Sequence, residues 1–470
     1  MEEPKPYGRV LTGRKVIFSD AEAITAENVV EVLNKAMGVH IGNEGDIQYL
    51  WDYYKGNQPI LKRVKDIRPE ICNRIVENRA NEIVSFKVGY LMGEPVQYVN
   101  RGSNEEAGDA INLLNEYVYA ENKASEDKKL ADWFTICGTA FRMILPSDSG
   151  NAEDSPFHIY TLDPRTTFVV YFSGLGHRPL MGVRFVQMEN LDVVYSVYTE
   201  NAYFEILNDK IVKSEARYYG GVPIIEYPAN EARLGAFEIV LPLLDAINET
   251  ASNRLDGVEQ FIQALMKFKG VDVDADVVEQ IRKLGGVKVP PDGDVEYLTQ
   301  ELNQTQTQTL KDDLYQTVLT ICGMPNRNGG TSTSDTGSAV IMRDGWSAAE
   351  ARAKDSELMF TRSEQIFLRL ALRMADILRG LKLKLSDVGI RFTRRNYENI
   401  QEKSQVLTTM LANPKIHRKL AFEHCGMFAD PDLAYTMSEA QYQEELKRME
   451  AELDEEGDDG DPDVPETKPV

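Results

Sequence analysis

The sequence predicts an α+β protein that is rich in helix, and three observations predict this class. Short runs rich in Val, Tyr and Phe, separated by turn residues, recur between residues 140 and 218 and are typical of antiparallel strands. Apolar stripes at helical spacing run through 237–268 and 339–381. With 470 residues, the chain is too long for one ordinary core, so we expect two to four domains or subdomains.

The first half divides into helices followed by strands. We expect helices over 26–38, 46–55, 71–90, 109–123 and 125–137, with one strand over 96–99. Further strands are expected over 140–145, 158–162, 167–172, 181–187, 192–199, 203–208 and 210–218. Residues 1–25 show no clear pattern. Residues 1–230 therefore predict one α+β domain with a largely antiparallel sheet.

The second half is dominated by long helices. From Val240 to Leu265 the apolar side chains recur at steps of 4, 3, 4, 4, 3, 4 and 3, so 237–268 predicts one helix, roughly 45–50 Å long. We then expect a small α/β insert over 270–300, a second helix from Gln304 to Gly323, a polar loop over 326–338, a helix over 339–381 and a strand over 389–393. Residues 397–449 predict helices broken at Asn413-Pro414 and Asp430-Pro431, and 450–470 predicts a disordered acidic tail.

Composition excludes several classes of protein. The formal net charge of −23 is opposite to the basic footprint of a conventional DNA-binding protein, although it suits a protein that encloses DNA without gripping it. The four cysteines form no CxxC pair, so we expect neither disulfides nor structural zinc. There is no apolar run of about 20 residues and no secretory pattern, and we expect a chain made in a cytoplasm.

Catalytic patterns are missing. Gly8 to Lys15 resembles a phosphate-binding loop but fails it, because the lysine stands one place late and Val16 replaces the Ser or Thr. His417 and His424 are seven residues apart, and no further metal ligands stand near them in the sequence. There is no HExxH or GxSxG motif. We therefore expect no catalytic residue, no metal, no cofactor and no enzymatic activity.

Two groups of residues remain as candidates. The loop at 326–338 is either a flexible linker or a functional loop, and its place between two long helices favours function. Its polar residues could touch DNA phosphates without sequence preference: Asn326, Arg327, Asn328, Thr331, Ser332, Thr333, Ser334 and Asp335. The acids of the 237–268 helix form a solvated face rather than a metal or acid/base site. Those that would face a channel, if the chain forms a ring, are Asp245, Glu249, Asp256 and Glu259.

Several segments together resemble the portal proteins of long-tailed phages with double-stranded DNA. YLWDYYKGNQPI at 49–60 and NRIVENRANEIVSFKVGYLMGEPV at 73–96 are similar to the N-terminal signature of that family. VPIIE at 222–226, leading into GAFE at 235–238, resembles the entry to its first stem helix. FTRRN at 392–396 resembles the motif before its crown. The resemblance extends from about residue 40 to 450.

The resemblance implies a portal fold with wing, stem, clip and crown, assembled as a ring around a central channel. It assigns 1–235 and 339–395 to the wing, 236–268 and 304–325 to the stem helices, 269–303 to the clip, 326–338 to the tunnel loop, 396–450 to the crown and 451–470 to an acidic tail. Departures from the family are a short crown and this tail.

The resemblance also implies partners. They are further copies of the chain in a ring, usually of twelve, double-stranded DNA passing without sequence specificity, the terminase large subunit, capsid and scaffold proteins, and a head-completion adaptor. The expected place is the portal vertex of a virion that is assembled in the host cytoplasm. Two alternatives stay open: another structural head or baseplate component without a DNA channel, and a DNA-packaging enzyme.

Overall fold

The computed structural model describes residues 11–101, 105–148, 151, 154–262, 265–269, 279, 289, 291–298, 304–326, 345–393, 400–428 and 431–456. The helices are α1 (Val29–Tyr54), α2 (Arg79–Leu91), α3 (Glu105–Ala120), α4 (Lys123–Cys137), α5 (Leu241–Ile262), α6 (Gln304–Cys322), α7 (Trp346–Arg379), α8 (Ile400–Leu411), α9 (Arg418–Cys425) and α10 (Pro431–Glu456). The fold is mixed helix and sheet, and among the described residues no helix is long and apolar enough to cross a membrane.

The strands are β1 (Ile17–Ser19), β2 (Gln97–Asn100), β3 (Thr139–Pro146), β4 (Phe157–Leu162), β5 (Thr167–Phe172), β6 (Pro179–Gln187), β7 (Val193–Tyr198), β8 (Ala202–Leu207), β9 (Lys210–Ala216), β10 (Ile224–Pro228), β11 (Leu265–Lys269), β12 (Asp294–Leu298) and β13 (Val388–Arg391). A six-stranded sheet has the order β1-β5-β6-β7-β8-β9, and β1 pairs with β5 as its parallel edge strand. The strands predicted between 140 and 218 are confirmed, whereas β1 and β10 were not predicted.

The first half of α1 covers one face of the six-stranded sheet. Val29 and Leu33 are buried there against Phe168 and Val197. The prediction of two helices over 26–38 and 46–55 is wrong, because α1 continues through Gly38, Gly42 and Gly45. Each of these glycines costs roughly 1 kcal/mol of helix propensity, and burial of His40 and Ile47 on the same side outweighs it.

A three-stranded sheet of order β10-β3-β4 supports the largest core. Helices α3, α4 and α7 pack on it through residues that include Leu130, Phe134, Phe360 and Phe367. Strand β13 returns to pair antiparallel with β2, nearly 300 residues earlier in the chain. Helix α7 and β13 therefore pack with elements that precede residue 230.

Helices α5 and α6 are anchored at one end in another core. Leu244 and Ile247 of α5, with Val318 and Cys322 of α6, are buried with residues of α1, α2 and α4. Toward residue 262 this burial fades, so that Leu255 is partly exposed. The predicted helix over 237–268 instead ends at Ile262, and Leu265–Lys269 forms strand β11 paired with β12. The periodicity continued into β11 because apolar residues occupy strands as well as helices.

Other predicted boundaries compare as follows. The helix predicted from Ala339 begins at Trp346 after Gly345, and residues 339–344 lie outside the described residues. Most of the small α/β insert predicted over 270–300 also lies outside them. The C-terminal helices are confirmed with their breaks before Arg418 and Pro431, although α10 extends to Glu456 into the predicted disordered tail. All four cysteines are free.

Candidate channel elements

Helices α5 and α6 run in opposite directions and are joined along their length. Near the β11–β12 end, Arg254 donates to Gln308. At the other end the Cys322 thiol donates to the carbonyl of Ala236, just before α5, with 3.6 Å between sulfur and oxygen. Both helices are therefore held at each end, and the polar loop predicted at 326–338 follows directly after α6.

Asp256 of α5 lies inside the subunit, with 2% of its surface exposed. It pairs with Arg63 at 2.9 Å and with Lys65 at 3.0 Å, and it accepts hydrogen bonds from the backbone and side-chain nitrogens of Asn73 at 2.7 and 2.9 Å. Burial alone would raise the pKa of Asp256, but these hydrogen bonds and cations outweigh it and lower the pKa. Asp256 is therefore an ionised anchor for the chain segment around residue 70.

The same face of α5 carries a row of three polar side chains, Asn248, Ser252 and Asp256, one helical turn apart. They accept hydrogen bonds from every second backbone nitrogen of an extended segment: Glu77 to Asn248 at 2.8 Å, Ile75 to Ser252 at 2.9 Å, and Asn73 to Asp256 at 2.7 Å. Two extended residues span about 6.6 Å and four helical residues rise about 6 Å, so the two repeats match.

This row explains why the helix predicted over 71–90 begins only at Arg79. The residues before it lie extended along α5, because their backbone nitrogens bond to α5 side chains instead of to their own carbonyls. The side chain of Asn78 then accepts from the backbone nitrogen of Asn81 and caps α2. The apolar periodicity from Ile71 did not reveal these partners, which stand more than 170 residues later in the sequence.

Asp245 is also internal, with 4% of its surface exposed, and it accepts a hydrogen bond from the Tyr53 hydroxyl at 2.9 Å. Burial, and then the charge of Asp245, raise the pKa of Tyr53. The prediction that Asp245 and Asp256 face a channel is therefore wrong, because both bind groups of their own subunit. Glu249 is exposed and Glu259 half-buried, so a channel-facing position for these two stays a prediction.

Helix α6 presents a polar face that was not singled out from the sequence. Its exposed members recur at steps of 4, 3, 4 and 4: Thr305, Thr309, Asp312, Gln316 and Thr320. Two of the threonine hydroxyls bond back to helix carbonyls, Thr309 to Thr305 at 3.0 Å and Thr320 to Gln316 at 2.9 Å. Asp312 accepts from Gln308 at 2.7 Å while remaining exposed. The polar spacing itself was the signal that could have identified this face.

The described residues on either side of the segment 327–344, which contains most of the predicted loop, lie close together. A Cβ added to Gly345 would lie 3.7 Å from the carbonyl oxygen of Met324 and 3.8 Å from Cα of Pro325. The chain therefore departs after Pro325 and returns at Gly345 beside its starting point. Of the predicted loop residues only Asn326 is described, and Arg327, Asn328, Thr331, Ser332, Thr333, Ser334 and Asp335 lie outside the described residues.

A cavity of about 380 Å³ lies at the root of this loop, between α2, α6 and α7. Lys87 extends along its wall and donates to the carbonyl of Cys322 at 2.8 Å, at the C-terminal end of α6. Burial lowers the pKa of Lys87, and the nearby Arg352 guanidinium lowers it further. The end of α6, where the loop begins, is thus tied to α2 by a cation at the negative end of the helix dipole.

In the described part of the chain, no three metal-ligating side chains gather in one place. His417 caps α9 by accepting from the backbone nitrogen of Lys419 at 3.2 Å. Gly13 and Arg14, from the sequence that resembles a phosphate loop, instead bind Glu238. These residues serve the structure of the subunit.

The described elements define a mixed helix-and-sheet subunit built around an anchored helix pair. The chain matches the family described as "Phage portal protein, SPP1 Gp6-like" over residues 43–459, and it belongs to this family. It is 22% identical over 424 residues to the protein named "Portal protein" of Bacillus phage SPP1, covering 82% of this chain and 79% of that protein. The expected resemblance is thus confirmed.

Two solved structures show a distant likeness. They are "Neck of empty GTA particle computed with C6 symmetry", with a TM-score of 0.44, and "Neck of native GTA particle computed with C12 symmetry", with a TM-score of 0.41. Both are 10% identical to this chain and cover 74% of it, and the matches span 90% and 89% of those chains.

Proposed function

We propose that this chain assembles into a closed ring at one vertex of a phage capsid, and that double-stranded DNA enters and leaves through its central channel. Membership of the portal family supports the general role. The observation that carries the proposal is the closeness of Met324 and Gly345, the described residues on either side of the predicted loop. A loop that returns to its root on an anchored helix pair can project into a channel without changing the body of the subunit.

In this proposal the loop at 326–338 lines the narrowest part of the channel. Arg327 would contact DNA phosphates. The amide and hydroxyl groups of its neighbours would also contact phosphates, without recognising a base sequence. Such contacts are weak and reversible, as transport requires. Twelve subunits would place twelve such loops around one duplex.

The polar face of α6 is our candidate for the channel wall, together with the exposed Glu249 and the half-buried Glu259 of α5. On that face the hydroxyls of Thr309 and Thr320 are already bonded to the helix, and Asp312 is the charged member. Repeated around a ring, these acids repel phosphate over about 8–10 Å in physiological salt. Repulsion from all sides would centre the duplex and lower friction.

The partners follow from the same proposal. The insert that contains β11 and β12 would dock the terminase large subunit during packaging and a head-completion adaptor afterwards. Capsid and scaffold proteins would hold the ring in the virion, after assembly in the host cytoplasm. The chain by itself would hydrolyse neither ATP nor DNA.

The test is negative-stain electron microscopy of the purified chain with native mass spectrometry of the same sample. We expect rings with a mass near twelve subunits and a central hole at least about 20 Å wide, so that a B-form DNA duplex can pass. A compact particle without a hole that hydrolyses ATP or cuts DNA would overturn the proposal.

A further inference from the structure

Residues 61–70 form an exposed loop held firmly by charge pairs at its base. Arg63 binds the carbonyl of Asn73 at 2.9 Å as well as Asp256, and Lys65 binds the carbonyl of Ile71 at 3.0 Å as well as Asp256. Arg74 adds a bond to the carbonyl of Arg63 at 3.1 Å. Both ends of the loop are thereby joined to each other and to α5.

This anchoring forces apolar side chains outward. Val64 stands between the two inward-facing cations and is 78% exposed, and Ile67 at the tip is 81% exposed. Because the backbone is held on both sides, neither side chain can turn into the subunit. Two β-branched apolar residues fixed in solvent are an energetic cost that burial against a partner would remove.

Most charges of the loop are balanced within the subunit. Arg63 and Lys65 face inward and pair with Asp256, and Arg68 pairs with Glu70. Lys62, two residues before Val64, and Asp66, next to Ile67, are exposed. The loop therefore presents an apolar tip with few charges, which suits a protein surface better than a phosphate backbone.

A complementary surface lies on the opposite side of the helix pair. Asp256, which holds the loop, and Arg254, which holds α6, are two residues apart on α5, so their side chains point about 200° apart. On α6, Gln308 faces α5. Leu310 comes two residues later, about 200° further around the helix, and therefore points away from α5. Across the helix pair, the order is therefore the loop of residues 61–70, then α5, then α6, and then the face around Leu310.

That outer face of α6 is apolar with an acid. Leu310 is 53% exposed, Ile321 is also partly exposed, and Asp313 and Thr317 lie between them at helical spacing. The loop offers apolar groups with the exposed Lys62 on one side of the subunit, and this face offers apolar groups with the carboxylate of Asp313 on the other. A ring closes through such head-to-tail contacts between two different surfaces of each subunit.

We propose that residues 61–70 bind the α6 face around Leu310 and Asp313 of a second copy of this chain. Val64 and Ile67 would pack on Leu310 and Ile321 of the next copy, and Lys62 would approach its Asp313. The inference rests on the proposed ring and names the contact that closes it. It also gives the buried Asp256 a function, because Asp256 holds the loop in its binding position.

Cysteine cross-linking tests this contact directly. Val64→Cys and Leu310→Cys chains, each also carrying Cys72→Ser, are assembled together and oxidised. We expect a disulfide-linked dimer in the mixture and little in either single-variant sample, since a head-to-tail contact joins unlike faces. Leu175→Cys, fully exposed on the β5–β6 turn, replaces Leu310→Cys as the matched control and should give no dimer.

A second measurement tests whether this contact stabilises the ring. Val64→Asp/Ile67→Asp should shift the native mass from rings toward monomers, with an unchanged far-UV circular dichroism spectrum because both residues are exposed in the subunit. Leu175→Asp should leave rings intact. Rings from Val64→Asp/Ile67→Asp as abundant as from the wild type, without the mixed disulfide, would overturn the contact and leave the portal proposal standing. Absence of rings from every chain, the wild type included, would overturn both.

Discussion

Arg142 of β3 and Glu364 of α7 form an ion pair 2.9 Å long in which neither side chain has exposed surface. Lys123 contacts Glu364 at 2.8 Å, and Asp127 pairs with both Lys123 and Arg142. Two cations and two carboxylates therefore balance in the core. The cluster joins α4, β3 and α7, so it fixes the helix that follows the candidate tunnel loop to the sheet beneath it.

We expect Glu364→Gln to destabilise the protein by about 3–5 kcal/mol. The substitution leaves Arg142 and Lys123 buried with one carboxylate between them, and it weakens the hydrogen bonds that Tyr98 and Tyr227 donate to Glu364 at 2.6 and 2.7 Å. Urea unfolding followed by fluorescence measures the change. Glu31→Gln is the control, because its pair with Lys35 is exposed and should contribute nothing measurable.

The same residue predicts a pH dependence. Burial would raise the pKa of Glu364, but Lys123 and Arg142 overcome this and hold it at about 2, below the ordinary value of 4.5. A lowered pKa in the folded state stabilises the protein above the unfolded pKa, and this contribution is lost as the pH falls from about 4.5 to about 2. The stability difference between wild type and Glu364→Gln should therefore shrink across this window. A difference that stays constant from pH 5 to pH 2 would contradict the assignment.

Removing one acceptor from the row on α5 should loosen the extended segment before α2. Ser252→Ala leaves the backbone nitrogen of Ile75 without its acceptor, a loss of about 1–3 kcal/mol. Hydrogen exchange measured by mass spectrometry should then be faster in peptides covering 72–78, with exchange in α1 unchanged. Glu249→Gln, on the exposed side of the same helix, is the matched control, and equal effects from both variants would show that the row does not hold the segment.

The sequence predicted the strands of the main sheet and most helices because periodicity and turn residues are local signals. It failed where distant groups decide the local structure. Asn43 of α1 binds both the backbone nitrogen and the carbonyl of Lys15 at 2.8 Å, and such contacts carry α1 past its glycines. The extended residues before Arg79 likewise depend on side chains of α5.

The candidate channel residues show the same limit. Helical spacing placed Asp245 and Asp256 on a polar side of α5, but it could not show what covers that side. Tyr53 and Arg63, about 190 residues earlier, cover it. Family resemblance supplied the role of the chain, while the exposed polar face of α6 emerged only once the buried faces of both helices were known.

Deleting Asn328–Ser334 should spare ring assembly and impair DNA packaging or retention. Met324 and Gly345, the described residues on either side of this segment, lie side by side, so a shorter connection should close without strain on α6 or α7. Electron microscopy of purified rings measures assembly, and the yield of filled, infectious particles measures function. Replacing the same seven residues by a Gly/Ser segment separates loop length from loop chemistry, and normal yields from the deletion would exclude the tunnel-loop assignment.

Reversing the charge of Asp312 tests whether the polar face of α6 lines the channel. In a ring, Asp312→Lys would place one cation per subunit on the wall, so the wall would attract phosphate where it now repels it. We expect rings of this variant to retain double-stranded DNA at about 50 mM salt and to release it by about 200 mM, because counterion release makes such binding steeply salt-dependent. Fluorescence anisotropy of a labelled duplex measures retention.

The matched control is Glu200→Lys, which changes the net charge equally at an exposed turn between β7 and β8. Equal retention by both variants would mean that net charge alone acts and that α6 does not form the wall.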